Sequence, residues 1–431
     1  MAKYVLLNTT ISWNKGSAAQ VSSTVKDIRS IDPGAEFVLI SYCNAQDQRF
    51  SDRYGVRVVG YDDDQGRSLG DGLRAYALRM TACTALAAVV RAAGRGELAG
   101  KLSKRERFCA ALMDSDLVID LSGDSLSDKG SHSMVNLMGI LACHLIGRPV
   151  VFHSQSIGPF SRMTRPIAAW ALRRANHVNV REEISSRFIS EMGIPPEKTG
   201  LHSDCAFNLD AASRTRTEEI LRGAGAPTER EGPLVGLSIS ALMIDLQVER
   251  GQGKCAGETP YMKAVTAIAS SIIKEVPGSR LVLVPHVIAP TEWARDDRWA
   301  CREMAQGLPE SDRIHLLTSD YTAEELKGVI GACDFFVGSR MHACIAAISQ
   351  AVPTVALSWS HKYIGIMKRM GMENYVIDTD VLSAQEVASR VMKAFDDRTS
   401  IGELLRERLP REKASASEGV RQFVSKSAAA K

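Results

Sequence analysis

Two polar segments that follow short apolar runs carry residue types suited to acid–base and anion chemistry. Segment 338–342 reads Gly-Ser-Arg-Met-His and follows the apolar run 333–337. A second apolar run, 353–357, is followed by a polar segment that ends in Lys362. Arginine supplies a fixed cation and histidine a base that titrates near neutral pH. If both runs are neighbouring parallel strands, Arg340, His342 and Lys362 meet in one crevice at the carboxyl ends, where such sheets bind anions.

Four more polar segments follow predicted strands in the first half of the chain. They are 14–17 (Asn-Lys-Gly-Ser), 121–125 (Leu-Ser-Gly-Asp-Ser), 153–159 (His-Ser-Gln-Ser-Ile-Gly-Pro) and 180–185 (Val-Arg-Glu-Glu-Ile-Ser). The turn at Asn14 precedes a helical run, so its backbone amides could face an anion. Glycine and serine are what any turn requires, so each segment alone is explained more simply as a turn. Their shared position at strand ends favours a site.

The elements that must position these residues alternate along the chain. Short β-branched runs and helical patterns take turns, which is typical of parallel α/β sheets. The predicted strands are 4–8, 37–41, 56–60, 116–121, 149–153, 177–181, 234–239, 280–285, 313–317, 334–337, 354–357 and 375–377. The pattern predicts an α/β protein of two doubly wound, Rossmann-like domains facing a cleft.

The domain boundaries follow from where the apolar pattern lapses. Residues 213–232 are rich in Arg, Glu, Gly and Ala without an apolar period, so we predict a linker there. The first domain is then 1–212 and the second 233–400. Residues 401–431 are predicted to form a terminal helix and tail that could pack back on the first domain.

Composition excludes several classes of protein. A net charge of +3 over 431 residues gives no argument for nucleic acid, and no run reaches the roughly 18 apolar residues of a membrane span. The start lacks a signal-peptide pattern, and nine dispersed cysteines form no C-x-x-C pair, so we expect a reduced, cytoplasmic protein. The His and Cys spacings match no metal signature, so we expect no metal.

With these motifs in view, the chain resembles the polysaccharide pyruvyl transferase family, in the branch whose first turn reads Asn-Lys-Gly. The matching segments are 14–16, 121–124, 155–159, 180–182, 285–286, 338–342 and Lys362, in family order. Three departures stand out. The family often has Gly-Gly-Gly where this chain has Gly123-Asp124-Ser125, Gly-Asp at Gly16-Ser17, and arginine at Ser240.

The resemblance implies a fold similar to GT-B glycosyltransferases. It also implies transfer of pyruvate from phosphoenolpyruvate to saccharide hydroxyls as a ketal, in exopolysaccharide or cell-surface glycan biosynthesis. Phosphoenolpyruvate would be a co-substrate with no cofactor, the first domain would take the acceptor and the second the donor. The implied site residues are His342, Arg340 and Lys362 for catalysis; Arg181, Gly338, Ser339 and His286 for the donor; and Asn14, Gly16, Gly123, Asp124, His153 and Gln155 for the acceptor or cleft.

The residue types can be tested against this chemistry. A donor with a phosphate and a carboxylate needs converging cations, which Arg340, Lys362 and Arg181 could supply. A sugar hydroxyl must lose a proton, for which His342 is the natural base; the alternative, a core histidine, is disfavoured by its position at a strand end beside Arg340. The donor methylene must gain a proton, and His286, His153 and His132 stay open for that role. Asp296 and Asp297 begin a predicted helix, so we expect them to be capping or solvated charges.

Two rival functions and one surface hypothesis also follow from the sequence. A nucleotide-sugar glycosyltransferase would offer a carboxylate to the ribose near 358–362, yet the next acid is Glu373. A non-catalytic binding protein on the same fold predicts that Arg340 and His342 are dispensable. The basic region 91–107 follows an apolar stretch and could touch an anionic inner membrane leaflet if the acceptor is lipid-linked, although a solvated helix face is the simpler interpretation.

Overall fold

The computed structural model describes residues 1–41, 44–60, 78, 81–86, 88–89, 92–94, 107–128, 133–227, 231–289, 296–308, 311–358 and 361–429. Most of the basic region 91–107 and the candidate His132 lie outside these residues. The chain divides into two compact units. The N-terminal unit comprises Met1–Ser12, Gln20–Cys205 and Ser415–Lys431, and the C-terminal unit comprises Trp13–Ala19 and Ala206–Ala414.

The N-terminal unit is built on a seven-stranded parallel sheet. Its strands are β1 (Lys3–Leu7), β2 (Glu36–Ser41), β3 (Arg57–Gly60), β4 (Leu117–Asp120), β5 (Val150–Gln155), β6 (His177–Val180) and β7 (Thr199–Leu201). They lie in the order β3-β2-β1-β4-β5-β6-β7. The central strands β1, β4 and β5 are buried at nearly every position because helices cover both faces of such a sheet. The order reverses between β1 and β4, so the crevice of this unit lies there.

The helices of the first half connect these strands. They are α1 (Lys15–Ile31), α2 (Asn44–Gln48), α3 (Ser51–Tyr54), α4 (Arg107–Met113), α5 (Ser133–Leu145), α6 (Arg165–Arg174) and α7 (Glu183–Glu191). Helix α1 begins in the segment that groups with the C-terminal unit and continues in the N-terminal unit. Helices α5 and α6 pack on the apolar core of the N-terminal unit, to which both contribute buried residues.

The C-terminal unit repeats the same plan with six parallel strands. They are β8 (Leu234–Ser238), β9 (Arg280–Leu283), β10 (Ile314–Leu316), β11 (Phe335–Gly338), β12 (Thr354–Ser358) and β13 (Val376–Asp378), in the order β10-β9-β8-β11-β12-β13. The helices are α8 (Arg214–Gly223), α9 (Ala241–Glu249), α10 (Pro260–Glu275), α11 (Asp297–Gln306), α12 (Ala323–Gly331), α13 (Met341–Ile348), α14 (His361–Arg369), α15 (Ala384–Asp396) and α16 (Arg398–Ala429). Here the strand order reverses between β8 and β11.

The structure departs from the predicted boundaries in three places. Residues 213–232, expected to be a linker, contain α8, whose Ile220 and Leu221 are buried in the core of the C-terminal unit. The first turn of α1 groups with the C-terminal unit, and the chain from Ser415 groups with the N-terminal unit. Phe423 of α16 packs there against His153, with ring centroids 5.1 Å apart. Among the described helices, none is long and apolar enough to cross a membrane.

Candidate active site

The predicted Gly-Ser-Arg-Met-His segment lies where the strand order of the C-terminal sheet reverses. Strand β11 ends at Gly338, and its neighbour β8 ends at Ser238. Helix α13 begins directly after Arg340. Parallel doubly wound sheets open their ligand crevice at this position. The structure therefore places Arg340 and His342 where an anionic ligand can reach a strand end and a helix start together.

Gly338 and Ser339 hold this turn in place. A Cβ on Gly338 would stand 2.6 Å from the sulfur of Cys344, so only glycine fits the close packing. Ser339 is fully buried, and its hydroxyl accepts a hydrogen bond from the Tyr261 hydroxyl at 2.7 Å. Its carbonyl accepts another from the Tyr363 hydroxyl at 2.7 Å. Both residues thus fix the backbone that leads into Arg340.

Arg340 forms a two-point ion pair with Asp297. Its Nε lies 3.0 Å from one carboxylate oxygen and its Nη2 lies 2.6 Å from the other. Paired contacts of this kind fix the plane of a guanidinium. Within the described parts of the chain the Nη1 end makes no hydrogen bond, and 16% of the side chain is exposed. One edge of Arg340 is held by the fold and the other remains available to a ligand.

Asp297 is the hub of the site. It is fully buried, and besides Arg340 it accepts backbone N–H bonds from Ala241 at 3.0 Å, His286 at 3.2 Å and Val287 at 2.8 Å. These amides follow β8 and β9, so one carboxylate ties three neighbouring strand ends together. The burial cost of the charge is offset because both of its oxygens are fully hydrogen-bonded.

The sequence-based interpretation of the two acids was right for one and wrong for the other. Asp296 caps α11, accepting from the backbone N–H of Arg298 at 2.8 Å. Asp297 neither caps nor meets solvent. The sequence did indicate that the two acids must differ, since only one of two adjacent acids can occupy the N-cap position. The partner of Asp297 is a buried arginine 43 positions later, and no short-range sequence pattern reveals that pairing.

Gly16 and His342 are brought into contact in the C-terminal unit. A Cβ on Gly16 would stand 2.3 Å from Nδ1 and 2.6 Å from Cγ of His342, so the imidazole lies directly on the glycine. Asn14 caps this helix start, because its side-chain oxygen accepts from the N–H groups of Gly16 at 3.0 Å and Ser17 at 3.3 Å. Those two amides are therefore hydrogen-bonded within the turn. The turn contributes to the site through the close packing of Gly16 against the imidazole of His342.

Lys15, the residue before Gly16, contacts His286. The Lys15 N–H donates to the His286 carbonyl at 3.1 Å, and the Lys15 Nζ lies 2.6 Å from Asp320. Burial lowers the pKa of Lys15 below its ordinary value, and the pair with Asp320 opposes that shift. Lys15 was not among the predicted site residues, because its neighbours Asn14 and Gly16 carried the motif.

His286 is buried and polar without a partner in the described structure. It is 4% exposed, and neither ring nitrogen forms a hydrogen bond. Burial lowers its pKa well below the ordinary value, and electrostatic interactions with the neighbouring His342, Arg340 and Lys15 lower it further. Its imidazole is therefore neutral at physiological pH. A buried polar group without a protein partner is a candidate contact for a ligand.

Lys362 lies in the first turn of α14, after the neighbouring strand β12. It is 7% exposed, and burial lowers its pKa to about 7. A lysine with such a pKa changes charge near neutrality, and an anion bound nearby would favour its charged form. Perturbed titratable groups of this kind cluster at functional sites.

The remaining predicted residues belong to the N-terminal unit, where most are committed to the fold. Arg181 is fully buried, pairs with Asp204 at 2.6 Å and donates to the Ser156 hydroxyl at 2.8 Å. Gln155 is fully buried and bridges β4 and β5, donating to the Asp120 carbonyl at 2.9 Å and accepting from the Ser122 hydroxyl at 3.0 Å. Arg181 is thus committed to Asp204 and Ser156 within the N-terminal unit, and its donor-binding role stays a prediction.

Three more predicted residues, His153, Gly123 and Asp124, lie near the ends of β4 and β5 in the N-terminal unit. His153 is fully buried, with Nδ1 3.2 Å from the Asn179 side-chain nitrogen, and burial lowers its pKa to about 3. Gly123 has a φ of 68°, which requires glycine, and Asp124 beside it is half-buried. Across the described residues of both units, no group of three or more His, Cys, Asp or Glu side chains is placed to hold a metal ion.

Comparisons with known proteins identify the family of the chain. The family model described as polysaccharide pyruvyl transferase matches residues 14–361, which include Arg340 and His342. The chain belongs to that family. As a member of the polysaccharide pyruvyl transferase family it is a transferase. The amylovoran biosynthesis protein AmsJ of Erwinia amylovora is 22% identical to it over 301 residues, 69% of each chain.

Solved structures confirm the predicted fold of two Rossmann-like domains. A putative UDP-N-acetylglucosamine 2-epimerase from Listeria monocytogenes superposes with a TM-score of 0.60 at 12% identity, covering 97% of this chain and 94% of its own. HepE of Anabaena, solved with UDP-glucose, gives 0.57 at 12% identity, covering 99% and 100%. Both are similar in fold to the pyruvyl transferase chain.

The first prediction concerns Asp297. Asp297→Asn places an amide N–H₂ among N–H donors and leaves the Arg340 charge uncompensated. We expect the free energy of unfolding to fall by about 3 kcal/mol. Asp296→Asn is the matched control, because asparagine caps a helix as well as aspartate and the change should stay below about 1 kcal/mol. Urea unfolding followed by circular dichroism measures both, and equal effects would contradict the assigned role of Asp297.

Proposed function

We propose that this transferase moves the pyruvyl group of phosphoenolpyruvate onto two hydroxyls of a saccharide, forming a cyclic ketal and releasing phosphate. The observation that carries the proposal is the set of basic side chains at the strand ends of the C-terminal unit (Arg340, His342, His286 and Lys362), in which Asp297 holds one edge of Arg340 and leaves the other open. Phosphoenolpyruvate carries a phosphate and a carboxylate within a few bonds, so it suits a small volume with several converging cations.

The proposed chemistry balances without an oxidant or a reductant. One hydroxyl attacks C2 of the donor and loses its proton while C3 gains a proton and becomes a methyl group. The C2–O bond to phosphate then breaks, the second hydroxyl attacks C2, and its proton leaves with the phosphate. The reaction therefore needs a base, an acid and stabilisation of the departing anion.

The site offers a group for each of these tasks. Arg340 and Lys362 bind the anionic groups of the donor, and His342 takes the proton of the attacking hydroxyl. His286 is the best candidate for protonating C3. It is neutral when the site is empty, but a bound trianion would raise its pKa and supply the acidic form at the time it is needed. His153 is a poorer candidate, since it lies in the N-terminal unit against Phe423.

The acids of the site argue against a nucleotide-sugar donor. Asp297 is taken up by Arg340 and three amides, and Asp320 is paired with Lys15. Both are therefore engaged by basic side chains of the site, whereas a ribose would need a carboxylate that accepts from its two hydroxyls. We infer that the acceptor is a saccharide of an exopolysaccharide pathway, in line with the similarity to the amylovoran biosynthesis protein AmsJ.

The direct test is phosphate release. We expect the protein to release phosphate from phosphoenolpyruvate only when a saccharide acceptor is present. Arg340→Lys should raise the KM for phosphoenolpyruvate roughly 10- to 100-fold, because an ammonium group is a single point charge and cannot make the paired contacts of a planar guanidinium. His342→Gln should lower kcat about 100-fold or more through loss of the base. Tight binding of UDP without binding of phosphoenolpyruvate would refute the proposal.

A second test uses the contact between Gly16 and His342. Gly16→Ala must push the imidazole aside, so we expect kcat to fall at least about 10-fold while the KM for phosphoenolpyruvate changes little. Gly257→Ala is the matched control in the same unit, since a Cβ there meets no atom within 4 Å. Equal activity in the two variants would show that the position of His342 is irrelevant to turnover.

A third test uses the pKa of Lys362. Because this pKa is lowered to about 7, the lysine loses its charge as the pH rises through that value. The KM for phosphoenolpyruvate should therefore increase above pH 7. Lys362→Arg keeps its charge at all these pH values, so its KM should stay flatter over the same range. Parallel KM profiles for the two proteins would remove Lys362 from the donor site.

A further inference from the structure

Helix α5 has an unusual composition for the outer layer of an α/β unit. None of its 13 residues is charged, whereas a surface helix normally presents a charged face to water. Its outward positions are apolar as well: Met134 is 44% and Leu145 38% exposed, and Val135 and Met138 are partly exposed. A helix that is apolar on all sides is expected to be covered.

The apolar surface continues onto α6. The two helices touch through His144, whose Nε2 lies 3.3 Å from the Ala171 carbonyl and whose ring meets Trp170 edge-on at 5.6 Å. Ile167 lies one turn before Trp170 on the same side of α6 and is 44% exposed. Met163, just before the helix, is 85% exposed. We call this continuous surface the α5–α6 face.

The chain segment beside this face carries an excess of positive charge, although the Asp128 carboxylate lies against it and accepts hydrogen bonds from the Ser161 N–H and the Thr164 hydroxyl. Residues 161–174 contain four arginines and no acid. Arg174 stacks over the Trp170 ring at 4.4 Å. Arg165 and Arg173 donate to the backbone carbonyls of Glu191 and Met192, which satisfies N–H groups without cancelling their charge.

This charge identifies the kind of partner. In a two-fold symmetric contact between two copies the same arginine-rich patch would be present on both partners, so both would bring the same excess of positive charge to the interface. A surface that is anionic outside and apolar beneath would satisfy both features at once, because Met and Ile side chains enter the acyl boundary while arginines pair with phosphate groups. We propose that the α5–α6 face is a peripheral docking surface for a membrane that contains anionic phospholipids. It is distinct from the basic region 91–107.

The experiment is co-sedimentation of the full chain with vesicles. We expect binding to vesicles of phosphatidylcholine with phosphatidylglycerol and none to phosphatidylcholine alone. Met163→Asp should weaken binding about 10-fold or more, because an apolar side chain no longer enters the lipid. The double variant Arg162→Gln/Arg174→Gln should weaken it by roughly the same factor, and salt should weaken the wild type. Val381→Asp is the matched control, since Val381 is 76% exposed in the other unit.

Three results would overturn the proposal. The first is wild-type protein left in the supernatant with anionic vesicles. The second is equal vesicle binding by Met163→Asp and Val381→Asp. The third is a wild-type dimer that Met163→Asp converts to a monomer in sedimentation velocity, which would make the face a contact between copies. Loss of binding in Met163→Asp alone, with the circular dichroism spectrum unchanged, supports the lipid surface.

Discussion

The ion pair between Asp297 and Arg340 is the constraint on which the site depends. A buried carboxylate is costly unless all its lone pairs are engaged, and Asp297 engages them with one guanidinium and three amides. Those partners come from three neighbouring strand ends, so the charge cannot be satisfied unless β8, β9 and β11 end in register. The same contact orients Arg340 before any ligand arrives. Structural and functional requirements thus meet in one residue.

Around this fixed pair, burial disfavours the charged forms of two basic groups, Lys362 and His286. The pKa of Lys362 falls from the ordinary 10.5 to about 7, which corresponds to roughly 5 kcal/mol against its charged form. His286 loses its proton for the same reason, with its cationic neighbours adding to the effect of burial. An anionic ligand would recover part of this energy by restoring both charges. Binding of a compact anion would therefore be coupled to proton uptake by these two groups.

Local patterns determined most of the fold in advance. All twelve predicted strands are present, because buried parallel strands are nearly continuous apolar runs. The missed strand, β7, has only three residues and contains a glycine. Helix α8 was hidden because its buried apolar side chains, Ile220 and Leu221, stand among charged residues that face water. Strand β7 and helix α8 were both missed because they contain too few apolar residues to show a recognisable hydrophobic periodicity.

The site was harder to predict than the fold, because its contacts join distant positions. Strand ends correctly located Arg340 and His342 at a switch point, since that rule is topological. The strand-end rule could not predict that Arg340 pairs with Asp297, that Gly16 packs against His342 or that Arg181 pairs with Asp204. Each of these contacts depends on how distant segments pack together. A strand-end position therefore predicts which residues reach a crevice, and only burial and pairing decide which remain available to a ligand.

The two switch points differ in a way that this distinction explains. In the N-terminal unit the strand ends carry Asn8, Asp120, Ser122 and Gln155, which hydrogen-bond to one another, and burial raises the pKa of Asp120 to about 6. In the C-terminal unit the strand ends carry cations with one edge of Arg340 open. A weakly charged network suits hydroxyl groups, whereas an arginine with one open edge suits phosphate and carboxylate. The same fold, used twice, therefore carries different polar groups at its two switch points: hydroxyl, amide and carboxyl groups in the N-terminal unit and basic side chains in the C-terminal unit.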